Sequence, residues 1–287
     1  MQLGGLMLKL LRPEQWLKNL FVFLPVFFNG QLLNVSALLP CTIVFIAFSF
    51  AASSIYCFND IYDIEADKLH PEKCKRPIAS GIVSKKTAYI IMVISFLFSM
   101  LILFFFGGDF RNTLIALVVF YYAMNLAYTI RLKRCAIIDV VIISVGFVLR
   151  VYVGGIASDI WISEWIVIMT FLLALFLAFA KRRDDVILYK NTNYYNLEFM
   201  NQIITLVATI TIVAYIMYTL SPDVIERFHT RYIYITSIFV LMGIIRYLQI
   251  TIIDFKSGNP TKVLLRDRFI QCCVIGWVGS FSIIIYL

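Results

Sequence analysis

The chain has 287 residues, 61% of them hydrophobic and 15% charged, and a mean hydropathy of +0.88. A soluble domain carries roughly 45–50% apolar and about 25% charged residues, so these values exclude a soluble globular enzyme and fit an integral membrane protein. The net charge of +8 reads as membrane orientation and contact with anionic lipid, not as nucleic-acid binding.

The apolar runs are long and continuous. That excludes a lipid-exposed barrel, whose strands alternate over about ten residues, and predicts an all-α fold. Residues 1–16 read as an amphipathic helix lying in the interface, without a signal-peptide cleavage pattern. A helical crossing needs about 20 mostly apolar residues. Nine stretches are expected to cross: 17–33, 37–58, 86–106, 112–130, 136–157, 163–180, 203–220, 232–250 and 268–287. Pro25, Asn29 and Gly30 interrupt the first.

Cations fall on alternate connectors. They precede or open the first span (Lys9, Arg12, Lys18), follow the second (Lys68, Lys73, Lys75, Arg76) and follow the fourth (Arg131, Lys133, Arg134). They recur after the sixth (Lys181, Arg182, Arg183) and around the last loop (Lys262, Arg266, Arg268). The opposite connectors hold only Arg111, Arg227 and Arg231. The positive-inside rule then places the N-terminus in the cytoplasm and, with nine crossings, the C-terminus outside. No linker or strong repeat divides the chain, so 1–287 is expected to be a single domain. The cysteines (Cys41, Cys57, Cys74, Cys135, Cys272, Cys273) show no C-x-x-C or Cys/His spacing, and neither a disulfide framework nor a zinc site is expected.

The second span runs into "NDIYDIEADKLHPEKCKRPIASG", Asn59–Gly81, expected to form most of a cytoplasmic catalytic loop over 59–85. Asp60, Asp63 and Asp67 are spaced i, i+3, i+7, which aligns them along one helix face. Clustered carboxylates at a membrane surface repel unless a cation joins them. Hard oxygen ligands beside phosphate suit Mg2+. Lys73, Lys75 and Arg76 follow, placed to take the outer oxygens of a phosphorylated ligand. The competing reading is an ordinary solvated helix end.

Three further segments carry charge. "YTIRLKR", Tyr128–Arg134, closes the fourth span and reads equally as a basic anchor or a phosphate contact. Arg150 lies mid-membrane, where a charge costs on the order of 2.5–3.5 kcal/mol and must face a cavity or a partner. Asp139 sits just inside the same span. "KRRDD", Lys181–Asp185, closes the sixth span with bases for phosphate and two acids that could hold metal. Mixed acid–base patches at cytoplasmic helix ends predict a cytoplasm-facing central cavity for an anionic substrate. Neither His70 nor His229 joins a Ser/His/Asp or Cys/His arrangement, and no P-loop is present.

"NDIYDIEAD" (Asn59–Asp67) resembles the N-D-x-x-D-x-x-x-D signature of the UbiA prenyltransferase superfamily, whose members are nine-helix membrane proteins. "RPEQWLKNLFVFLPVFF" (Arg12–Phe28), "GFVLR" (Gly146–Arg150), "KRRDD" and "LLRDRFIQ" (Leu264–Gln271) resemble its decaprenyl-phosphate phosphoribosyltransferase branch. The resemblance implies Mg2+-dependent transfer of 5-phosphoribose from phosphoribosyl diphosphate to a polyprenyl phosphate, with release of diphosphate. By the same resemblance, Asp60, Asp63 and Asp67, with Asn59, match the metal–diphosphate motif, and Lys73 and Arg76 match the basic part of the first loop. Lys18, Tyr128, Lys133 and Arg150 match phosphate ligands, and Lys181, Arg182 and Asp185 fall at the second motif. That motif is richer in acids in ordinary prenyltransferases. The resemblance also implies a bacterial inner-membrane location and a homo-oligomer such as a trimer. Two alternatives remain: a prenyl transferase using a prenyl diphosphate and an aromatic or glycerophosphate acceptor, and a lipid transporter or flippase built on Arg150, Asp139 and Arg246. Transporters more often show paired repeats with helices broken at the midplane.

Overall fold

The computed structural model describes residues 9–71, 73–189, 195–255 and 257–286, and among these it holds helices and turns without strands. In apolar surroundings a helix satisfies its own backbone polar groups, which is why these runs fold this way. A 3-10 helix, Pro13–Phe23, leads into α1 (Leu24–Phe28), α2 (Val35–Tyr62), α3 (Ile64–Lys68) and a short 3-10 turn, Lys73–Lys75. Then come α4 (Lys85–Phe106), α5 (Arg111–Ile130), α6 (Ile138–Ala157), α7 (Glu164–Tyr189), α8 (Leu197–Leu220) and α9 (Pro222–Phe228). α10 (Ser237–Ile252), α11 (Pro260–Arg266) and α12 (Arg268–Tyr286) complete the order.

Eight helices among the described residues are long and apolar enough to cross a membrane. They match the second to ninth expected spans. The first expected span, 17–33, folds differently. Its chain is a 3-10 helix up to Phe23 and an α-helix for five residues, and it ends at Asn29–Gly30, where Gly30 takes φ 68°. The expected interfacial helix over 1–16 lies outside the described residues for its first eight positions.

The helix starts follow side-chain chemistry. Asn34 caps α2 through Ser36 N at 3.1 Å, Ser84 caps α4 through Thr87 N at 3.1 Å, and Asn196 caps α8 through Phe199 N at 2.7 Å. Pro222 and Pro260 open α9 and α11, where a missing N–H costs nothing.

The chain divides into two compact units. The first runs to Ile142 and takes in Gly146–Ile162; the second takes Ile143–Val145 and everything from Ser163. In the first unit α2 packs against α4, α5 and the Pro13–Phe23 helix. α6 approaches that helix so closely at Gly154 that a Cβ there would lie 1.8 Å from the Val22 carbonyl oxygen. In the second unit α7 packs on α8, and α10 on α8 and α12.

The stretch 59–85, expected as a loop, is helical as far as Lys68. Asp63 N–H donates to Asn59 O at 2.9 Å, and Asp67 N–H to Asp63 O at 2.8 Å, so i→i−4 bonding continues through the junction. No proline or glycine precedes Pro71 there. Ile61 and Ile64 bury into a cluster with Leu10, Cys57, Ile78, Val83 and Ala88, and that apolar stripe keeps the acidic stretch docked. The chain then turns back at Gly81, whose φ of 76° a side chain would resist.

Candidate active site

The acidic stretch projects its carboxylates from the end of α2 and from α3. Asp60 and Asp67 are 2% and 3% exposed, too buried to remain charged without partners. Arg76 supplies one. Its Nη1 donates to Asp60 Oδ1 at 3.0 Å and to Asp67 Oδ2 at 2.7 Å, so one guanidinium sits between the two carboxylates. Arg12 supplies the other, donating from Nη2 to Asp60 Oδ1 at 2.5 Å and Oδ2 at 2.7 Å. Arg12 also lies over the Tyr56 ring, 5.5 Å from its centre.

Asp63 does not join this pair. It occupies the junction between α2 and α3 with φ −96° and ψ 13°, and its Oδ1 accepts from Lys133 Nζ at 2.5 Å. Lys133 in turn lies 5.0 Å above the Tyr62 ring. The i, i+3, i+7 spacing therefore brings Asp60 and Asp67 together and turns Asp63 toward the end of α5. Among the described residues no three His, Cys, Asp or Glu side chains converge on a common metal position; the acids are neutralised by Arg and Lys instead. Asn59 is fixed from α5, its Oδ1 accepting from the Thr129 hydroxyl, which also reaches Asn125 O at 3.0 Å. Lys73 is half-buried, and its N–H donates to His70 Nδ1 at 3.2 Å, which gives His70 a turn-forming part. Tyr128 is half-buried in the last turn of α5.

Arg150 occupies a second position in the same unit. It is 4% exposed and uses all three of its nitrogens: Nε to Asn19 Oδ1 at 2.8 Å, Nη1 to Gly146 O at 2.6 Å and Nη2 to Tyr121 OH at 2.9 Å. Phe48, Phe147 and Tyr121 surround it with ring centres 5.0–5.1 Å away. None of these partners is a carboxylate, so its charge is held by dipoles and π faces. Lys18 is half-buried on the Pro13–Phe23 helix, in the field of Arg150 and Arg12. Arg12, Asn19, Tyr121 and Thr129 are site neighbours that the sequence reading did not assign. Arg12 and Asn19 lie in the same segment as Lys18, which is the signal that could have found them.

In the second unit, "KRRDD" lies on α7 and its charges divide by helix face. Arg183 and Asp184 are 3% and 6% exposed. Arg183 donates from Nε to Asn201 Oδ1 at 2.7 Å and from Nη1 to Thr251 O at 2.5 Å. Asp184 Oδ1 accepts from the Ser257 hydroxyl at 3.0 Å. These two therefore fasten α7 to α8 and to the connector after α10. Arg182 pairs with Asp185 at 3.1 Å, half-exposed, and Lys181 is exposed. At the start of α12, Arg246 donates to Asp267 Oδ2 from Nη2 at 2.7 Å and from Nε at 3.1 Å. That bond, supported by the Ile270 N–H on Oδ1, holds the Asp267 carboxyl below the usual carboxylate range.

The sequence of residues 20–265 matches the UbiA prenyltransferase family. Over 98% of this chain and 92% of the relative, it is 32% identical to a decaprenyl-phosphate phosphoribosyltransferase of Mycolicibacterium smegmatis. It is 29% identical to one of Corynebacterium glutamicum, over 98% and 87%. A digeranylgeranylglyceryl phosphate synthase of Sulfolobus acidocaldarius is 25% identical over 91% and 88%. Among solved structures, a UbiA homolog from Archaeoglobus fulgidus bound to GPP and Mg2+ superposes with a TM-score of 0.71 at 17% identity, covering 98% of this chain and 100% of that one. An all-helical fold of this kind, an Asn59–Asp67 acidic stretch at the end of its second long helix, and a family match over most of the length agree: the chain belongs to the UbiA prenyltransferase family.

Proposed function

We propose that this protein moves 5-phosphoribose from phosphoribosyl diphosphate to a polyprenyl phosphate and releases diphosphate, with Mg2+ as cofactor. The carrying observation is the likeness to decaprenyl-phosphate phosphoribosyltransferases over nearly the whole of both chains. The site chemistry supports it. Between Asp60 and Asp67 a cation already bridges two hard carboxylates, a donor set that suits Mg2+ beside Asn59 and Asp63. When bound there, Mg2+ neutralises charge on the leaving diphosphate.

The chain's own residues do the rest. Asp60 and Asp67 would hold the metal, with Asn59 beside them, and Asp63 would join by giving up its bond to Lys133. Lys73, Arg76 and Lys133 take the diphosphate oxygens, and Lys18, Arg150 and Tyr128 the other phosphate groups. By the resemblance, Lys181, Arg182 and Asp185 make up the second motif. As the C1–O bond to diphosphate breaks toward an oxocarbenium-like state, a lipid phosphate oxygen bonds to C1 from the opposite face and inverts it. That phosphate is ionised at neutral pH, so no proton need be removed, in keeping with the absence of a histidine acid–base pair. Catalysis is positioning and charge neutralisation.

The protein is read as an inner-membrane enzyme of bacteria, with its N-terminus and site cytoplasmic and its C-terminus outside. Nine crossings are consistent with the Pro13–Phe28 segment. Eleven residues of 3-10 helix rise ~22 Å at about 2.0 Å each, and five of α-helix add ~7 Å. The sum approaches the roughly 30 Å of a hydrocarbon core.

Prenyl transfer is the second reading, favoured by the fold of the homolog bound to GPP and Mg2+. The base-rich Lys181–Asp185 motif argues against it, since a second metal on a prenyl diphosphate needs acids. The transporter reading gives way to the transferases that the chain resembles. The test is purified protein with Mg2+, undecaprenyl phosphate and phosphoribosyl diphosphate labelled in the ribose. Label entering the lipid, and lost in Asp60→Asn, supports the proposal. Transfer from a prenyl diphosphate alone overturns it.

A further inference from the structure

Arg12 is built into the acidic cluster by the segment that carries it. Its backbone is left-handed, φ 49° and ψ 61°, a conformation that residues with a side chain resist. The neighbours enforce it. Leu10 is fully buried; the Ser53 hydroxyl donates to Leu11 O at 2.7 Å; and the Trp16 indole N–H donates to Ser53 Oγ at 3.0 Å. Gln15 N–H closes the turn on Arg12 O at 2.8 Å. The chain is pinned to α2 on both sides of Arg12, and the guanidinium is thereby aimed at both oxygens of Asp60. Strained backbone held by its surroundings collects at functional sites.

The contact has a chemical consequence. Asp60 Oδ1 carries two guanidinium groups, from Arg12 and Arg76, and Arg76 also spans to Asp67. A divalent ion on these carboxylates displaces those donors. We infer that Arg12 is a donor-binding residue that exchanges partners: it neutralises Asp60 before the donor arrives, and turns to the donor's phosphate oxygens when the metal takes the carboxylate. The exchange conserves charge, since each guanidinium leaves an anionic oxygen for another and the metal enters with its phosphates. Guanidinium suits both partners, because its planar fork fits carboxylate and phosphate alike. This inference rests on the metal–diphosphate reading of Asp60 and Asp67, and on that reading alone, since diphosphate is common to phosphoribosyl and prenyl donors.

The exchange predicts effects of opposite sign. Without Arg12, metal alone binds more tightly, because Asp60 then has only the Arg76 guanidinium to give up. Diphosphate in the presence of metal binds more weakly, because one of its cations is gone. The experiment uses full-length protein in detergent and two probes: Mn2+ alone, followed by its electron paramagnetic resonance, and inorganic diphosphate at saturating Mg2+, followed by calorimetry. Arg12→Gly suits the left-handed backbone and isolates the side chain, and Arg12→Gln keeps its length without its charge. Both variants are expected to bind Mn2+ about tenfold more tightly and diphosphate about tenfold more weakly, the scale of one charge-assisted hydrogen bond. Arg12→Lys is expected to fall between them and the parent. Loss of both affinities, or a change in neither, overturns the exchange and leaves Arg12 a structural clamp. Failure of the parent protein to bind Mn2+ and Mg2+–diphosphate at all instead refutes the metal–diphosphate reading.

Discussion

Gly154→Ala tests whether the close approach of α6 to the Pro13–Phe23 helix sets up the basic part of the site. The added Cβ would lie 1.8 Å from Val22 O, 2.8 Å from Val22 C and 3.1 Å from Val22 Cα. All three are backbone atoms, so no side chain can swing aside. Reaching an ordinary contact of about 3.4 Å requires a displacement of roughly 1.6 Å between the two segments. Overpacking of this kind costs ~1–3 kcal/mol. Arg150 stands one helical turn before Gly154, and its bond to Asn19 crosses to the same helix as Val22 at 2.8 Å. A shift of that size takes the bond beyond hydrogen-bonding range. Arg150 then loses one of three neutral partners, and Asn19, 1% exposed, is left with Ser49. The expected result is a lower melting temperature in detergent together with at least tenfold slower transfer to lipid phosphate. Gly243→Ala, whose Cβ would meet nothing nearer than Cys273 Cβ at 3.7 Å, is the control and is expected to change neither. Full stability and full activity in Gly154→Ala would refute the reasoning.

Three other outcomes follow from the same geometry. Because Arg246 depresses the Asp267 pKa, Asp267 stabilises the fold above its unfolded-state pKa, and this contribution fades as pH falls through the folded value; melting temperatures from pH 7 to pH 3 should show an acid-limb loss that shrinks in Asp267→Asn. Thr129 has one hydroxyl proton to offer Asn59 and Asn125 O, so Thr129→Val should raise the Mg2+ needed for half-maximal transfer several-fold while Thr129→Ser stays near the parent. Arg183→Ala should cost ~1–3 kcal/mol by leaving Thr251 O and Asn201 unpaired in a buried setting, seen as a lower melting temperature, whereas Lys181→Ala, at an exposed position, should leave melting unchanged and alter transfer.

The crossings were legible because membrane helices announce themselves by continuous apolar length, and the second to ninth expected spans fall on eight long helices with shifted edges. α7 runs past its expected end at 180 to Tyr189, since "KRRDD" contains no helix breaker and Arg183 and Asp184 find buried partners on the inner face. The first stretch differs from the other eight for a physical reason. Composition reports apolarity but not helix type, and Pro13 through Phe23 takes the tighter 3-10 winding. The acidic line was legible from its spacing for Asp60 and Asp67. Asp63 departs from it because the α2–α3 junction turns its side chain to Lys133, a partner seventy positions away in sequence. Long-range pairings of this kind leave no periodic trace. Arg12 is the sharpest case: read along the chain it is one cation among several before a span, a topology signal. Folded, its left-handed backbone and the bonds on either side of it direct that charge onto Asp60. The same residue can serve as a topology signal and in the site together, because the cation that precedes the span in sequence meets the Asp60 carboxylate in the fold.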